Sequence, residues 1–242
     1  MSILLPSLAG LHRFHRSMPL PCPYLDGQTE RKLFTRLVGD DSAALNSSLT
    51  RAGFRRSHDV LYRPICTACS ACVPVRLLAK QLAPGRTHRR TEARNQDLVA
   101  HEMPSRADPE LYRLFLAYQA ERHPDGDMGR MRWAEFRAML EEGADTARLL
   151  SLRDASGRLV GVMLFDRVDD GASAVYSFYA PNEPERSLGT YLILALARRI
   201  AAEKLDHLYL GYWIRGAAKM TYKIAFHPLE ALGPNGWSPL EP

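Results

Sequence analysis

Apolar positions along the chain change their period twice, and each change predicts a different kind of element. Ala44, Leu45 and Leu49 share one face behind Asp40-Asp41, residues suited to cap a helix, and Gly53 is placed to stop it. Residues 54–62 then read as one strand that leads into Pro64. Farther on, Leu111, Leu114, Phe115 and Tyr118 recur at helical spacing behind Asp108-Pro109-Glu110, which supplies a cap, a first-turn proline and a dipole-favoured acid. Trp133, Phe136, Met139 and Leu140 mark a second amphipathic helix closed by Gly143.

From Arg148 the apolar positions become strand-like. Residues 149–152, 159–166 and 174–179 predict three meandering strands, the first two joined by the turn Asp154-Ala155-Ser156-Gly157. A polar loop from Pro181 to Arg186 enters a long, largely apolar helix over 187–200. A further strand at 207–213 and a short helix over 219–226 follow. The predicted class is α+β, with a mixed, mostly antiparallel sheet and flanking helices.

Composition narrows the setting. A chain of 242 residues, 46% of them hydrophobic, can bury a substantial core as one large domain or two small ones. The reading favoured here is a smaller cysteine-containing unit over 1–75 and a larger one over 76–242. No apolar run approaches the ~20 residues of a membrane span. Ile3-Leu4-Leu5 is broken by Pro6 and Gly10, and its charges, Arg13 and Arg16, come after it, unlike a secretory leader. A reduced cytoplasmic protein is expected, with free thiols. The formal charge of +5 favours an anionic partner, though so modest a balance also occurs in proteins that bind none.

Three of the four cysteines crowd into Cys66-Thr67-Ala68-Cys69-Ser70-Ala71-Cys72, and the fourth is Cys22. Three thiols at intervals of three plus a distant fourth is a pattern iron–sulfur clusters use; zinc is the other metal this donor set suits, and a chance cluster of buried cysteines is the plain alternative. Next comes a basic stretch, 76–95, where six arginines and lysines oppose the single Glu92 around the Pro84-Gly85 step. It reads as a loop whose guanidinium groups, Arg89 and Arg90 among them, can converge on phosphate, or as a solvated charged surface. His123, before Pro124, reads as a helix-terminal residue rather than a catalytic one.

The order of strands, loop, helix, strand and short helix is similar to that of the GNAT acyltransferase core. Arg186-Ser187-Leu188-Gly189-Thr190-Tyr191 resembles the loop by which those proteins hold pyrophosphate at a helix N-terminus, with Tyr191 where a glycine is usual. That departure implies a changed donor, because a bulky side chain would crowd a phosphate. Tyr222-Lys223-Ile224-Ala225-Phe226 resembles the ending of many GNAT domains.

A closer resemblance spans nearly the whole chain. Tyr62-Arg63-Pro64, the three cysteines with Pro74 and Arg76, Arg89-Arg90, Arg122-His123, Ala174-Val175-Tyr176, the Arg186 to Tyr191 loop and Leu210-Gly211-Tyr212-Trp213-Ile214 resemble the aminoacyl-tRNA:protein transferases of the arginyltransferase family. The compact length is similar to the bacterial branch, the aspartate/glutamate leucyltransferases, which move leucine from its tRNA onto proteins beginning with Asp or Glu and so mark them for degradation. Asp26 stands where that family would have proline. Relatives that hold an iron–sulfur cluster imply the same for Cys22, Cys66, Cys69 and Cys72.

Such a reaction makes modest demands on side chains. The aminoacyl ester is already activated, and the attacking α-amine has a pKa of ~8, so alignment supplies much of the acceleration. No cofactor is required for the chemistry. The resemblance implies Tyr222 as proton donor to the leaving ribose oxygen, with Tyr176 and Tyr179 orienting the amine or its water. Arg186, Ser187, Gly189, Lys219 and Lys223 are expected at the tRNA 3′ end. Arg63, Arg76 or the Arg89-Arg90 pair are candidate clamps for an acidic N-terminal residue. Three alternatives stay open: an arginyl-tRNA donor, a coenzyme A-dependent acetyltransferase, and a cluster-binding redox or nucleic-acid module.

Overall fold

The structure, a computed structural model, describes residues 12–143 and 145–240. The stretch Ile3-Leu4-Leu5, with Pro6 and Gly10, lies outside them. The N-terminal arm carries three two-residue strands, β1 (His15–Arg16), β2 (Leu20–Pro21) and β3 (Thr29–Glu30). β4 (Lys32–Arg36), α1 (Ser42–Arg51), β5 (Arg55–Ser57) and β6 (Val60–Pro64) follow, and an antiparallel sheet forms in the order β1-β4-β6-β5. Residues 54–62 are thus a hairpin and not one strand. The fold-back comes at His58, whose φ of 53° is left-handed although no glycine or asparagine announces a turn there. α1 stops where expected, at Gly53, whose N–H donates to the Thr50 carbonyl at 3.0 Å.

β7 (Cys72–Leu78) leaves this sheet for a second one, so the expected boundary at 75/76 falls inside a strand. The basic stretch is no loop: after a short 3-10 turn (Ala79–Gln81) it forms α2 (Arg86–Arg94). The inner side of α2 is held by buried Thr91 and by His88, which stacks on Phe226 with ring centroids 4.6 Å apart. Its arginines face outward.

The chain continues through β8 (Val99–Pro104), α3 (Pro109–Arg122), α4 (Trp133–Glu141), β9 (Ala147–Arg153), β10 (Leu159–Val168) and β11 (Gly171–Tyr179). Then come α5 (Leu188–Ala202), β12 (His207–Ile214), a 3-10 turn (Ala218–Ala225), β13 (Leu229–Gly233) and β14 (Gly236–Pro239). α3 begins as predicted, with the Asp108 carboxylate accepting from the Leu111 N–H at 2.9 Å. The second sheet has eight strands in the order β14-β13-β7-β12-β11-β10-β9-β8, antiparallel throughout except between β11 and β12. This is the α+β architecture and element order expected of a GNAT-like core. Among the described residues no helix is long and apolar enough to cross a membrane.

Burial on both faces of β10 explains why its sequence is apolar from Leu159 to Phe165, with a bulge near Gly161 that shifts the alternation. Val160, Met163 and Phe165 pack with α5 residues Leu192, Leu196 and Ile200 on one face. Leu159, Val162 and Leu164 pack with Phe115 of α3 and Phe136 of α4 on the other. A strand covered on both faces has no solvent side to mark with polar residues.

One charged pair breaks that rule. Asp166 of β10, 0% exposed, accepts from Arg56 Nε of β5 at 2.7 Å, and Arg56 Nη1 also donates to the His58 carbonyl at 2.8 Å. The pair ties the N-terminal hairpin to the middle of the large sheet. It is not fully satisfied, since Arg56 Nη2 and Asp166 Oδ1 have no partner among the described residues. Asp166→Ala leaves a guanidinium buried alone and is expected to cost about 3–5 kcal/mol of stability. Replacing both partners by apolar residues of similar volume should recover most of it. Urea unfolding of the single and double variants checks both expectations.

Candidate active site

β11 and β12 are parallel through the pairs Gly171–His207, Ala172–Leu208 and Ser173–Tyr209, and then part. Each stays paired on its outer edge, β11 to β10 and β12 to β7, so the gap between them widens along two rigid walls. Main-chain carbonyls beside such a gap need donors from elsewhere. Two cations supply them. Arg55 Nη2 donates to the Val175 carbonyl at 2.6 Å, and Lys223 Nζ donates to the Tyr212 carbonyl at 2.5 Å. Gly211, at φ +71°, makes room for the first, because a Cβ there would stand 2.9 Å from Arg55 Nη1.

Beyond the parting lies a cleft of about 610 Å³. One wall is the start of α5. Ser187 precedes it in the left-handed conformation (φ 51°, ψ 47°), and the first helical bond runs from the Tyr191 N–H to the Ser187 carbonyl at 3.0 Å. The N–H groups of Leu188, Gly189 and Thr190 therefore have no partner within the helix, and these residues line the cleft. Gly189 lets Tyr179 lie against the helix start: a Cβ there would come within 2.9 Å of Tyr179 Cε1. Tyr191, expected to crowd a phosphate, is not among the cleft walls and packs against the α5 core cluster.

Tyr179, Ser187, Gly189, Lys219 and Tyr222 face this one volume. Tyr222 is 48% exposed, and the loss of water around it raises its pKa against the opposing pull of Arg55, so the phenol keeps its proton at neutral pH. Tyr176 is elsewhere. Strand alternation sends Ser177 and Tyr179 to the cleft and Tyr176 away from it, toward α3, where Gln119 Nε2 donates to its hydroxyl at 2.6 Å.

The other expected cations separate by position. Lys223 is 2% exposed, and burial, then the charge of Arg55, hold its amine well below the ordinary lysine range. Its amine is bonded to a main-chain carbonyl and is not among the cleft walls, where it was expected to steady the tRNA end by charge. Arg186 is locked by Asp97 at 2.9 Å and Glu183 at 2.8 Å, closing the loop before α5 rather than facing the cleft. Arg76 pairs with Glu230 at 2.7 Å and stacks over Trp237, and Arg63 donates to the Ala52 carbonyl at 3.0 Å. Arg89 and Arg90 are exposed on α2. That helix abuts the cleft mouth, because Arg94 Nη1 donates to the Glu185 carbonyl and Asn95 Nδ2 to that of Arg186, both at 2.8 Å.

Cys22, Cys66, Cys69 and Cys72 line a separate cavity of about 90 Å³ with Tyr24, Tyr62 and Tyr212. All four are free thiols. Burial, then the neighbouring thiols, push the Cys72 thiol up to about 11. Four soft donors around one cavity have the chemistry zinc or an iron–sulfur cluster requires. Their geometry is not closed, however: among the described residues no three Cys, His, Asp or Glu side chains converge tightly enough to hold a metal.

Two family models match this chain: arginine-tRNA-protein transferase, N terminus, over residues 20–90, and arginine-tRNA-protein transferase, C terminus, over residues 110–233. The chain belongs to this transferase family. It is 46% identical over 231 residues to a protein of Paramagnetospirillum magneticum named aspartate/glutamate leucyltransferase, covering 96% of this chain and 95% of that one. A protein of Parvibaculum lavamentivorans with the same name is 48% identical over 225 residues, covering 93% of each. The solved structure of L-PGS from Bacillus licheniformis is similar at a TM-score of 0.46 and 11% identity, covering 74% of this chain and 52% of that one. The protein is thus an aminoacyltransferase.

Sequence reasoning missed two groups that line the cleft, Tyr118 and His123, and a third, Arg55, in the gap between β11 and β12. Arg55 had no signal beyond being an arginine on a strand. Tyr118 read as core, yet it lines the cleft and meets Tyr179 edge-on at 4.8 Å. His123 is the C-cap of α3, as expected, and also a cleft wall, its ring against Tyr118 at 5.6 Å. Burial, then Lys219 and Arg122, lower the His123 pKa below the ordinary ~6.5, so the imidazole is neutral at pH 7. Removing a nearby positive charge by Lys219→Met should raise its midpoint toward the ordinary value. An NMR titration of the His123 ring reads this directly; an unmoved midpoint would show that Lys219 does not act on it.

Proposed function

We propose that this transferase moves the leucyl group of leucyl-tRNA to the α-amine of proteins whose first residue is Asp or Glu. The observation that carries the reading is the single cleft in which the open start of α5, Tyr179, Tyr222, His123 and Lys219 meet, in a chain that matches leucyltransferases over nearly its full length. The amine nitrogen attacks the ester carbonyl, a C–N bond forms, and the C–O bond to the terminal ribose breaks. Tyr222 gives its proton to the leaving oxygen and regains one from the nitrogen as the amide forms. Neutral His123 is placed to take one from the incoming ammonium. The N–H groups at the start of α5 face the developing oxyanion or a phosphate of the tRNA end. Ala180, Pro181, Leu188 and Ile193 give an apolar wall for the leucyl side chain.

The exposed arginines of α2, beside the cleft mouth, contact the tRNA backbone, with Lys219 nearer the 3′ end. The reaction takes place in the cytoplasm, and the added leucine marks its acceptor for degradation by the N-end rule pathway. Zinc or an iron–sulfur cluster held by Cys22, Cys66, Cys69 and Cys72 would need these thiols drawn closer together than they stand; it would cross-link the N-terminal arm to the start of β7 and take no part in acyl transfer.

The test is transfer of labelled leucine, with arginine as a parallel donor, to peptides beginning with Asp, Glu, Arg or Ala. Leucine on the Asp and Glu peptides alone is the expected result; arginine transfer in its place, or none from either donor, overturns the reading. Tyr222→Phe should lower kcat by about 100-fold, with a smaller change in KM, as loss of a general acid does. Arg89→Ala with Arg90→Ala should weaken leucyl-tRNA binding and reduce the slope of log affinity against log salt by about 1–2. A slope equal to that of the unmodified protein would remove α2 from the RNA surface.

A further inference from the structure

An acceptor selected for Asp or Glu must place its side-chain carboxylate within one side chain of the reacting amine, so its cationic partner has to sit beside the cleft and be free to pair. The cations expected for this role are all committed or displaced. Arg76 is held by Glu230, Arg63 reaches back to Ala52, and Arg89 and Arg90 lie outside on α2. Arg55 differs from each. It rises from β5 into the gap between β11 and β12, makes no ion pair among the described residues, and is fixed by the Val175 carbonyl at 2.6 Å and by its packing on Gly211. Its Nε and Nη1 take no partner among those residues, and neither is sealed from solvent. Its charge acts on Tyr222 of the cleft wall, on Lys223, and on Tyr24 and Tyr212 of the cysteine cavity.

We infer that Arg55 is the specificity-determining residue for the acceptor, its guanidinium binding the side-chain carboxylate of an N-terminal Asp or Glu while the α-amine reaches the ester beside Tyr222. The inference rests on the leucyl-transfer reading above. A guanidinium already anchored through one nitrogen offers its remaining N–H groups as a preset fork, which suits a carboxylate better than a flexible ammonium would. An N-terminal Asn or Gln has nearly the same shape but no charge, and cannot replace the ion pair that the fork is built to make.

The experiment compares leucine transfer to four peptides that differ only in beginning with Asp, Asn, Glu or Gln. Arg55→Ala should lower kcat/KM for the acidic peptides by about 100-fold, mostly through KM, as expected when one partner of a recessed charged pair is removed. The Asp-to-Asn and Glu-to-Gln ratios should fall toward one. Arg55→Lys should keep part of the preference, and Gly211→Ala, which pushes on the guanidinium without removing it, should fall between. Retained leucyl-tRNA binding shows that a variant is folded; if Arg55→Ala is not, Arg55→Lys carries the test with a smaller loss confined to the acidic peptides. A fall equal on all four peptides, or unchanged ratios, overturns the inference and leaves leucyl transfer standing. Failure of the unmodified protein to transfer leucine to any peptide overturns both.

Discussion

Everything functional in this fold follows from a parallel pairing that ends early. β11 and β12 share three residue pairs and then separate, held apart because each is already zipped to an antiparallel neighbour. A sheet that opens in its middle exposes main-chain groups where nothing of its own can satisfy them. The solution here is two side-chain cations, one from each flank: Arg55 from the N-terminal hairpin and Lys223 from the 3-10 turn after β12. Both make the same kind of bond, but the outcomes differ. An arginine cannot lose its proton in a protein, whereas burial, then the charge of Arg55, lowers the Lys223 pKa, so the permanent charge of the opening is that of Arg55.

The hairpin that supplies Arg55 does so by strand geometry. Neighbouring residues on a strand point to opposite faces, and Arg55 and Arg56 are neighbours. Arg56 goes into the core to meet Asp166, fixing the hairpin; Arg55 goes into the gap, where it meets no carboxylate among the described residues. The structural ion pair thus sets the position of the one left open. The cysteine unit and the transferase core also touch: β7, which begins at Cys72, pairs within the large sheet, and the Tyr212 hydroxyl, beside the cysteine cavity, donates to the Gly53 carbonyl of the N-terminal unit at 2.8 Å.

The sequence carried the elements whose periodicity is imposed by burial. α1, α3, α4, α5 and the meander β9 to β11 were legible because each has a stripe or alternation of apolar residues and a cap or turn at its ends. What was not legible lacked such a stripe. α2 is rich in arginine, with no apolar stripe beyond Ala93, and reads as a loop until Phe226, far along the chain, is seen stacking on His88. β8 is a short edge strand, Val99-Ala100-His101-Glu102-Met103-Pro104, without a two-residue alternation of apolar and polar positions, and the turn at His58 uses a residue with no turn signature. The site divides in the same way. Tyr179, Tyr222, Ser187, Gly189 and Lys219 sit in motifs whose order along the chain could be read. Tyr176 was misjudged because it was assigned to the cleft with Tyr179, although three residues on a strand reverse the face. Arg55 and Tyr118 join the site only through contacts between distant segments, which no local pattern records.

Depth separates the tasks of the positive charges. Those at the surface, on α2 and at Lys219, are solvated and screened within about 10 Å at ordinary salt, which would suit the long polyanion proposed to bind there and leave in every cycle. Arg55 is recessed and anchored, so a carboxylate paired with it is screened less and held in one orientation. Alignment is what this reaction chiefly requires, since the ester is already activated and the amine already nucleophilic once neutral. A fixed charge beside the reacting centre therefore serves the chemistry as well as the choice of acceptor: the same contact that recognises the acidic side chain sets where its α-amine can go.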